Sequence, residues 1–193
     1  MAEFTTDWFS PHVPLWEELL AGFRGQPGLR FLEVGSFEGR STVWLLENIL
    51  THRTARLVCV DTFQGSPEHQ RLGLDVTGIY ARFCRNVQPH WRKVQILRGR
   101  SQEVLRDARL AQGSFHFAYI DGSHRAREVL EDAVLTFRLL RVGGLLIFDD
   151  YGWEDASEET ERPRLGIDAF LNVYHGAYSL LHQGYQVAIE KAS

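Results

Sequence analysis

The chain has 193 residues, which suits one domain and leaves little room for a second. Hydrophobic residues make up 44% and charged residues 24%, and 25 acidic against 21 basic side chains leave a net charge of −4. That is the balance of a folded, soluble chain, and it gains nothing from counterion release at a phosphate backbone, which argues against a nucleic-acid partner. Two cysteines, Cys59 and Cys84, offer neither a metal-type spacing nor a disulfide framework and fit a reducing cytoplasm. The first ten residues carry acids and aromatics rather than a basic region and an apolar stretch, and no apolar run is long enough to cross a bilayer. The expectation is a cytoplasmic chain with no membrane partner, residues 1–193 forming a single domain.

In chain order, Leu15, Trp16, Leu19, Leu20 and Phe23 recur at helical spacing, predicting an amphipathic helix within an N-terminal segment, 1–29. Residues 30–34 read as a strand ending at Gly35, with a helix over about 40–50. A strand over 55–60 ends at Asp61, and a helix spans about 78–87. A third strand over 94–97 precedes a helix over about 101–110. The fourth, 115–120, ends at Asp121, and a longer amphipathic helix over 126–140 is broken by Gly143 and Gly144. A fifth strand, 145–148, ends at Asp149 and Asp150. After a helix over about 165–174, strands over 177–181 and 185–190 are joined too closely for a crossover, which predicts an antiparallel hairpin. Residues 62–76 and 151–164 take no assignment; the second carries five acids and reads as a solvated loop or a lid. Short apolar runs alternating with helices predict an α/β chain with a mostly parallel sheet covered on both faces.

In open parallel sheets, ligands bind beyond the carboxyl ends of the strands. Here those ends carry Glu33 and Gly35, then Asp61, Asp121, and Asp149 with Asp150, so four strands put acids on one rim. The loop E-V-G-S-F-E-G-R-S has Gly35 and Gly39 where the backbone must turn at the head of a helix. Phe37 and Arg40 break the G-x-G-x-x-G register of dinucleotide sites, leaving a nucleoside as the better fit. Asp61, ending the next strand, can accept both hydroxyl hydrogens of a ribose.

These residues, with V-D-T-F, G-R-S-Q-E, Y-I-D-G-S-H and L-L-R-V-G-G-L-L-I-F-D-D-Y, resemble class I S-adenosylmethionine-dependent methyltransferases. More narrowly, they resemble the small metal-dependent O-methyltransferases, such as catechol O-methyltransferase and the sugar O-methyltransferases of macrolide and aminocoumarin biosynthesis. The resemblance runs from about Arg30 to Lys191. It implies a Rossmann-like three-layer sandwich whose seven-stranded, mostly parallel sheet ends in a C-terminal antiparallel hairpin. It also implies that Glu33, Gly35, Ser36 and Gly39 surround the methionine part of S-adenosylmethionine. Asp61 would hold the ribose with Thr62 and Phe63 beside it, Ser101 and Gln102 would meet the adenine edge, and Asp121 would border the cofactor. Asp121, Asp149 and Asp150 match the metal ligands. His124 stands where the catechol enzymes carry a lysine base.

Three carboxylates on one rim raise one another's pKa unless a cation is present, and oxygen ligands select Mg²⁺ first, then Mn²⁺ or Ca²⁺. The expected reaction is methyl transfer to a hydroxyl of a small acceptor, a sugar diol or a catechol, with Asp121 and His124 at the reacting centre. Histidine titrates near neutral pH, as a base must. Two other readings stay open: a metal-independent methyltransferase, and a non-catalytic adenosyl-binding module acting through a partner. The aromatic N-terminus (Phe4, Trp8, Phe9, Trp16) reads equally as an edge cover, an acceptor wall or a contact in a homo-oligomer.

Overall fold

A computed structural model describes residues 2–66, 69, 73–154, 160 and 162–193. Seven strands, β1 (Arg30–Val34), β2 (Arg56–Asp61), β3 (Val94–Arg98), β4 (Phe115–Ile120), β5 (Leu140–Phe148), β6 (Tyr178–Gln183) and β7 (Val187–Lys191), form one sheet in the order β3-β2-β1-β4-β5-β7-β6. The first five run parallel. β7 pairs antiparallel with both β5 and β6, as the short connection requires. The order reverses between β1 and β4, and at such a switch point the two following loops diverge and leave a crevice.

The described helices are α1 (Val13–Leu19), α2 (Arg40–Asn48), α3 (Ile79–Val87), α4 (Ser101–Val104), α5 (Ala126–Leu139) and α6 (Pro163–Val173), with short 3-10 turns around α1 and after α3. Successive residues of each strand point to opposite faces. Phe31, Leu57, Cys59, Phe117 and Ile147 face Trp16 of α1, Leu45 and Leu46 of α2 and Phe83 of α3. Leu32, Val58, Ala118, Ile120 and Leu146 face Val129, Ala133 and Phe137 of α5 and Ile167 and Phe170 of α6. Both faces are covered, so both sets must be apolar; this gives the strands their unbroken hydrophobic runs. Trp16 is the anchor of the first layer. It is fully buried, its ring lies 4.7 Å from Tyr119 and 4.8 Å from Phe9, and truncating such a residue costs about 3–5 kcal/mol.

Two boundaries differ from the sequence reading. Gly143 and Gly144 do not separate a helix from a strand; the chain passes from α5 directly into β5 at Leu140. Pairing with β4 jumps from Phe115–Leu140 to Phe117–Leu145, and Gly143 takes a φ of +73° within the extra residues. The glycines permit a bulge, which periodicity does not distinguish from a break. The helix expected over 101–110 stops at Val104; beyond it the chain continues in turns, the Asp107 N–H donating to the Val104 carbonyl at 3.0 Å and Asp107 accepting the Arg109 N–H at 2.9 Å. The proposed lid, 151–164, lies partly outside the described residues, as does the loop over 62–76.

Candidate active site

The ends of β1, β2 and β4 close on one point. The Gly35 N–H donates to the Val60 carbonyl at 2.9 Å, and the Asp121 N–H to the Val34 carbonyl at 2.7 Å. Gly35 has a φ of +86°, and a Cβ there would stand 1.8 Å from the Asp121 carbonyl oxygen. No other residue fits.

Glu33 is fully buried on the α2 side of β1. Its carboxylate accepts hydroxyl hydrogens from Ser41 at 2.6 Å, Ser36 at 2.7 Å, and Thr42. Burial raises its carboxyl above the usual range, and the three hydroxyl donors oppose that shift. The structure therefore places Glu33 behind the glycine loop, as its brace, and not on a cavity wall. Asp61 ties the same loop from the front. Its Oδ2 accepts from the Ser36 and Phe37 N–H groups, both at 2.8 Å, and its Oδ1 from the Phe63 N–H at 2.6 Å. These bonds hold Phe37 and Phe63 in left-handed backbone, with φ of +46° and +55°. A carboxylate has about four acceptor positions, so Asp61 retains capacity for a ribose hydroxyl.

Beside Asp61 lies a cavity of about 390 Å³, bounded by Gly35, Thr62, Ser101, Gln102 and Asp121. Most residues expected around an adenosyl group thus meet at one space. Gly39 and Phe63 do not: Gly39 caps α2 with a φ of +84°, and Phe63 is buried with its ring 5.0 Å from both Tyr80 and Phe83. A second cavity of about 670 Å³ adjoins the first. The two share Gly35, Phe37, His69, Asp121, Gly122 and His124 as a common wall, and Ser36 lines the second alone.

The larger cavity holds the acidic groups. Asp121, His124 and Asp150 each offer one ligand atom, all within 4.8 Å of one another. His124 Nε2 lies 2.7 Å from Asp150 Oδ2, while Tyr185 donates to Asp150 Oδ1 at 2.9 Å. Asp150 itself has a φ of +57°. Asp149 also lines this cavity but stands outside that group: Tyr119 donates to its Oδ2, Gln186 to its Oδ1 at 3.2 Å, and the Asp150 N–H to its Oδ1 at 2.8 Å. The Tyr119 oxygen also lies 3.1 Å from Asp121 Oδ2. Burial, then the charges of Asp149 and Asp150, hold the Asp121 carboxyl well above its usual range; burial and Asp150 raise that of Asp149, against its hydrogen bond from Tyr119. Burial, then Asp121 and Asp149, raise the Tyr119 hydroxyl likewise.

A divalent cation fits this donor set, the carboxylates suiting a hard ion and the imidazole drawing the preference toward a first-row metal. Two carboxylates and an imidazole converge, the carboxylates destabilise one another, and a cation among them removes that penalty. An adenosyl cofactor fits the smaller cavity, where a carboxylate with spare acceptor capacity faces a serine and an amide side chain. Tyr119, Tyr185 and Gln186 were not legible as site residues. Tyr119 reads as a core position of β4, and the other two sit in the hairpin turn, remote in sequence from every motif. Phe4, Trp8, Phe9 and His12 line the larger cavity, while Trp16, with Phe9 against it, is buried on the sheet, so the aromatic N-terminus both walls this cavity and covers the sheet. Trp153 joins them, its ring 4.5 Å from His124. No described helix is long and apolar enough to cross a membrane.

A parallel sheet in this order, closed by an antiparallel hairpin and carrying its acids around two joined cavities, defines the class I methyltransferase architecture. A family model described as a methyltransferase domain matches residues 32–151, well over half of the chain. The chain belongs to this methyltransferase family. No curated protein sequence matches it. Among solved structures it is similar to the O-methyltransferase from Bacillus cereus in complex with SAH, at 20% identity over 94% of this chain and 82% of that one, with a TM-score of 0.66. It is similar to the O-methyltransferase TomG from Streptomyces achromogenes, involved in tomaymycin synthesis and solved with SAM, at 17% identity over 95% and 81%, with a TM-score of 0.64. It is also similar to MycE of the mycinamycin biosynthetic pathway, solved with Mg, SAH and mycinamycin VI, at 20% identity over 98% of this chain and 51% of that one, with a TM-score of 0.61. At these identities the likeness is one of fold.

Proposed function

We propose that the protein, acting as one domain over residues 1–193, transfers the methyl group of S-adenosylmethionine to a hydroxyl of a small acceptor with the help of a divalent cation. The observation that carries this reading is the convergence of Asp150, from the larger cavity, with Asp121 and His124 of the wall that joins the two cavities. The adenosyl group would lie along Asp61, Thr62, Ser101 and Gln102, with its methionine part beside Gly35 and Ser36. The acceptor would take the larger cavity. Its hydroxyl oxygen bonds to the methyl carbon as the carbon–sulfur bond breaks, the electron pair goes to sulfur, and the hydroxyl proton passes to a base on the acidic rim. A Mg²⁺, Mn²⁺ or Ca²⁺ ion, when bound, supplies the charge that favours the deprotonated hydroxyl and a template for vicinal oxygens. The chain's own part is alignment and the exclusion of water by Phe37, Trp8 and Trp153.

In this reading Asp121, Asp150 and His124 hold the ion, and Asp149 supports them from behind through Tyr119. A second reading keeps Asp149 as the third ligand and frees His124 as the base, favoured by its place on the shared wall. Turnover assayed over a library of diols and catechols, with and without a chelator, tests the proposal; methyl transfer undiminished by the chelator contradicts it. His124→Ala separates the two readings. Loss of ion affinity supports a ligand, whereas intact affinity with an altered pH–rate profile supports a base.

A further inference from the structure

Asp132 lies on α5, away from the acidic rim, and is 1% exposed. A carboxylate so deeply buried in a helix needs a donor, and the donor comes from the pair expected to meet the adenine edge. Gln102 Nε2 donates to Asp132 Oδ1 at 3.3 Å, and Ser101 beside it favours the charged carboxylate. Asp132 Oδ2 has no hydrogen-bond partner among the described residues. It faces Gly122, where an added Cβ would stand 3.6 Å away. The carboxylate thus sits directly behind the wall formed by Ser101, Gln102 and Gly122.

An amide side chain has a donor end and an acceptor end, and which one faces a ligand is set by what binds the other. An ionised carboxylate only accepts, so it claims the NH₂ end of Gln102. We propose that Asp132 fixes the polarity of the Gln102 amide, turning its carbonyl oxygen toward the smaller cavity, so that the site takes an aminopurine and rejects an oxopurine. The inference rests on the reading of that cavity as the adenosyl site. An adenine presents an amino hydrogen to that carbonyl; a hypoxanthine presents an oxygen, which the same carbonyl repels. Asp132 is a positioning residue here, acting through Gln102. Burial pushes its carboxyl up to about 7, Glu128 and Glu131 on its own helix add to that, and Ser101 opposes it. The fixed polarity therefore belongs to the ionised form.

The test is calorimetric binding of S-adenosylhomocysteine and S-inosylhomocysteine to the full chain at about pH 8.5, where the carboxylate form dominates. The wild type is expected to prefer the adenine compound by about 10- to 100-fold. Asp132→Asn, which can present either end of its own amide, is expected to reduce that preference to about threefold or less. Asp132→Leu removes the bond and the buried charge together, and is read the same way if the asparagine variant does not fold. A role in packing alone would weaken both ligands equally; an unchanged preference in a folded variant overturns the proposal. If the wild type binds neither compound, the adenosyl reading falls and the proposal with it.

Discussion

Tyr119 meets two carboxylates with one hydroxyl, and that ratio decides what the acidic rim does in the absence of an ion. The hydroxyl donates to Asp149 and lies within reach of Asp121, so removing it leaves the buried Asp149 Oδ2 without that donor while Oδ1 keeps Gln186 and the Asp150 N–H, at about 1–3 kcal/mol. Groups that orient metal ligands from behind carry about 10- to 100-fold in metal affinity. Tyr119→Phe is therefore expected to bind Mg²⁺ or Mn²⁺ at least tenfold more weakly while binding S-adenosylhomocysteine normally; unchanged ion affinity by calorimetry would remove Tyr119 from this role. Asp61 gives the converse result. Asp61→Ala loses three backbone bonds as well as the ribose contact proposed for it, so cofactor affinity should fall by more than about tenfold, whereas Asp149→Ala should spare it and abolish turnover. Equal losses of cofactor affinity in the two variants would contradict this division between the cavities.

At the scale of elements, the β1–α2 loop is held from two sides by acids that never touch each other, Glu33 behind and Asp61 in front. The loop cannot relax, because the β4 loop fills the space beside Gly35. Gly35→Ala combines a forbidden backbone with a clash against main chain, and is expected to cost about 2–4 kcal/mol in urea unfolding and to abolish cofactor binding. A variant of wild-type stability would show that the two loops separate freely. The strand ends and glycine loop were readable because a ligand crevice at a switch point demands those residue types in sequence order. The contributions of β7 and its turn were not. Gln186 and Tyr185 reach Asp149 and Asp150 only because the hairpin pairs antiparallel beside β5, and local sequence carries no trace of that pairing. Gly143 shows the same limit, since a bulge and a helix stop use the same residue.

For the molecule as a whole, alternation of apolar runs and helical patterns fixed the seven strands and their direction, because a sheet buried on both faces leaves few other arrangements. Side-chain destinations were less legible. Glu33 and Asp61 both end strands, yet the pleat sends one into the core and the other to the crevice. Asp132, midway along an amphipathic helix, gave no sequence signal, and its effect is global. Its carboxyl is raised to about 7 against about 3.9 in an unfolded chain. The folded state thus holds the proton more tightly, and the stability this contributes is full in acid and lost as pH rises through about 7. Asp132→Asn is expected to flatten that decline between about pH 4 and pH 7, by on the order of 1–4 kcal/mol. Parallel pH profiles for the two proteins in urea melts would count against it.

The first dozen residues are attached differently from the rest. Among the described residues they pair with no strand. Thr5 is held by Glu38 through its N–H at 2.7 Å and its hydroxyl at 2.9 Å, Glu3 exchanges bonds with Asn86, and Arg40 grips the Thr6 carbonyl at 3.0 Å and Asp7 at 3.2 Å. Each of these links runs through a side chain, and the strip joins the core only further on, where Phe9 is buried against Trp16, so residues 3–6 have no share in the sheet's backbone ladders. Amide hydrogens of residues 3–6 should then exchange well before those of β1 or β4. Exchange of that kind would mark residues 3–6, which carry Phe4 and Thr6 of the larger cavity's wall, as the part of its enclosure that loosens first.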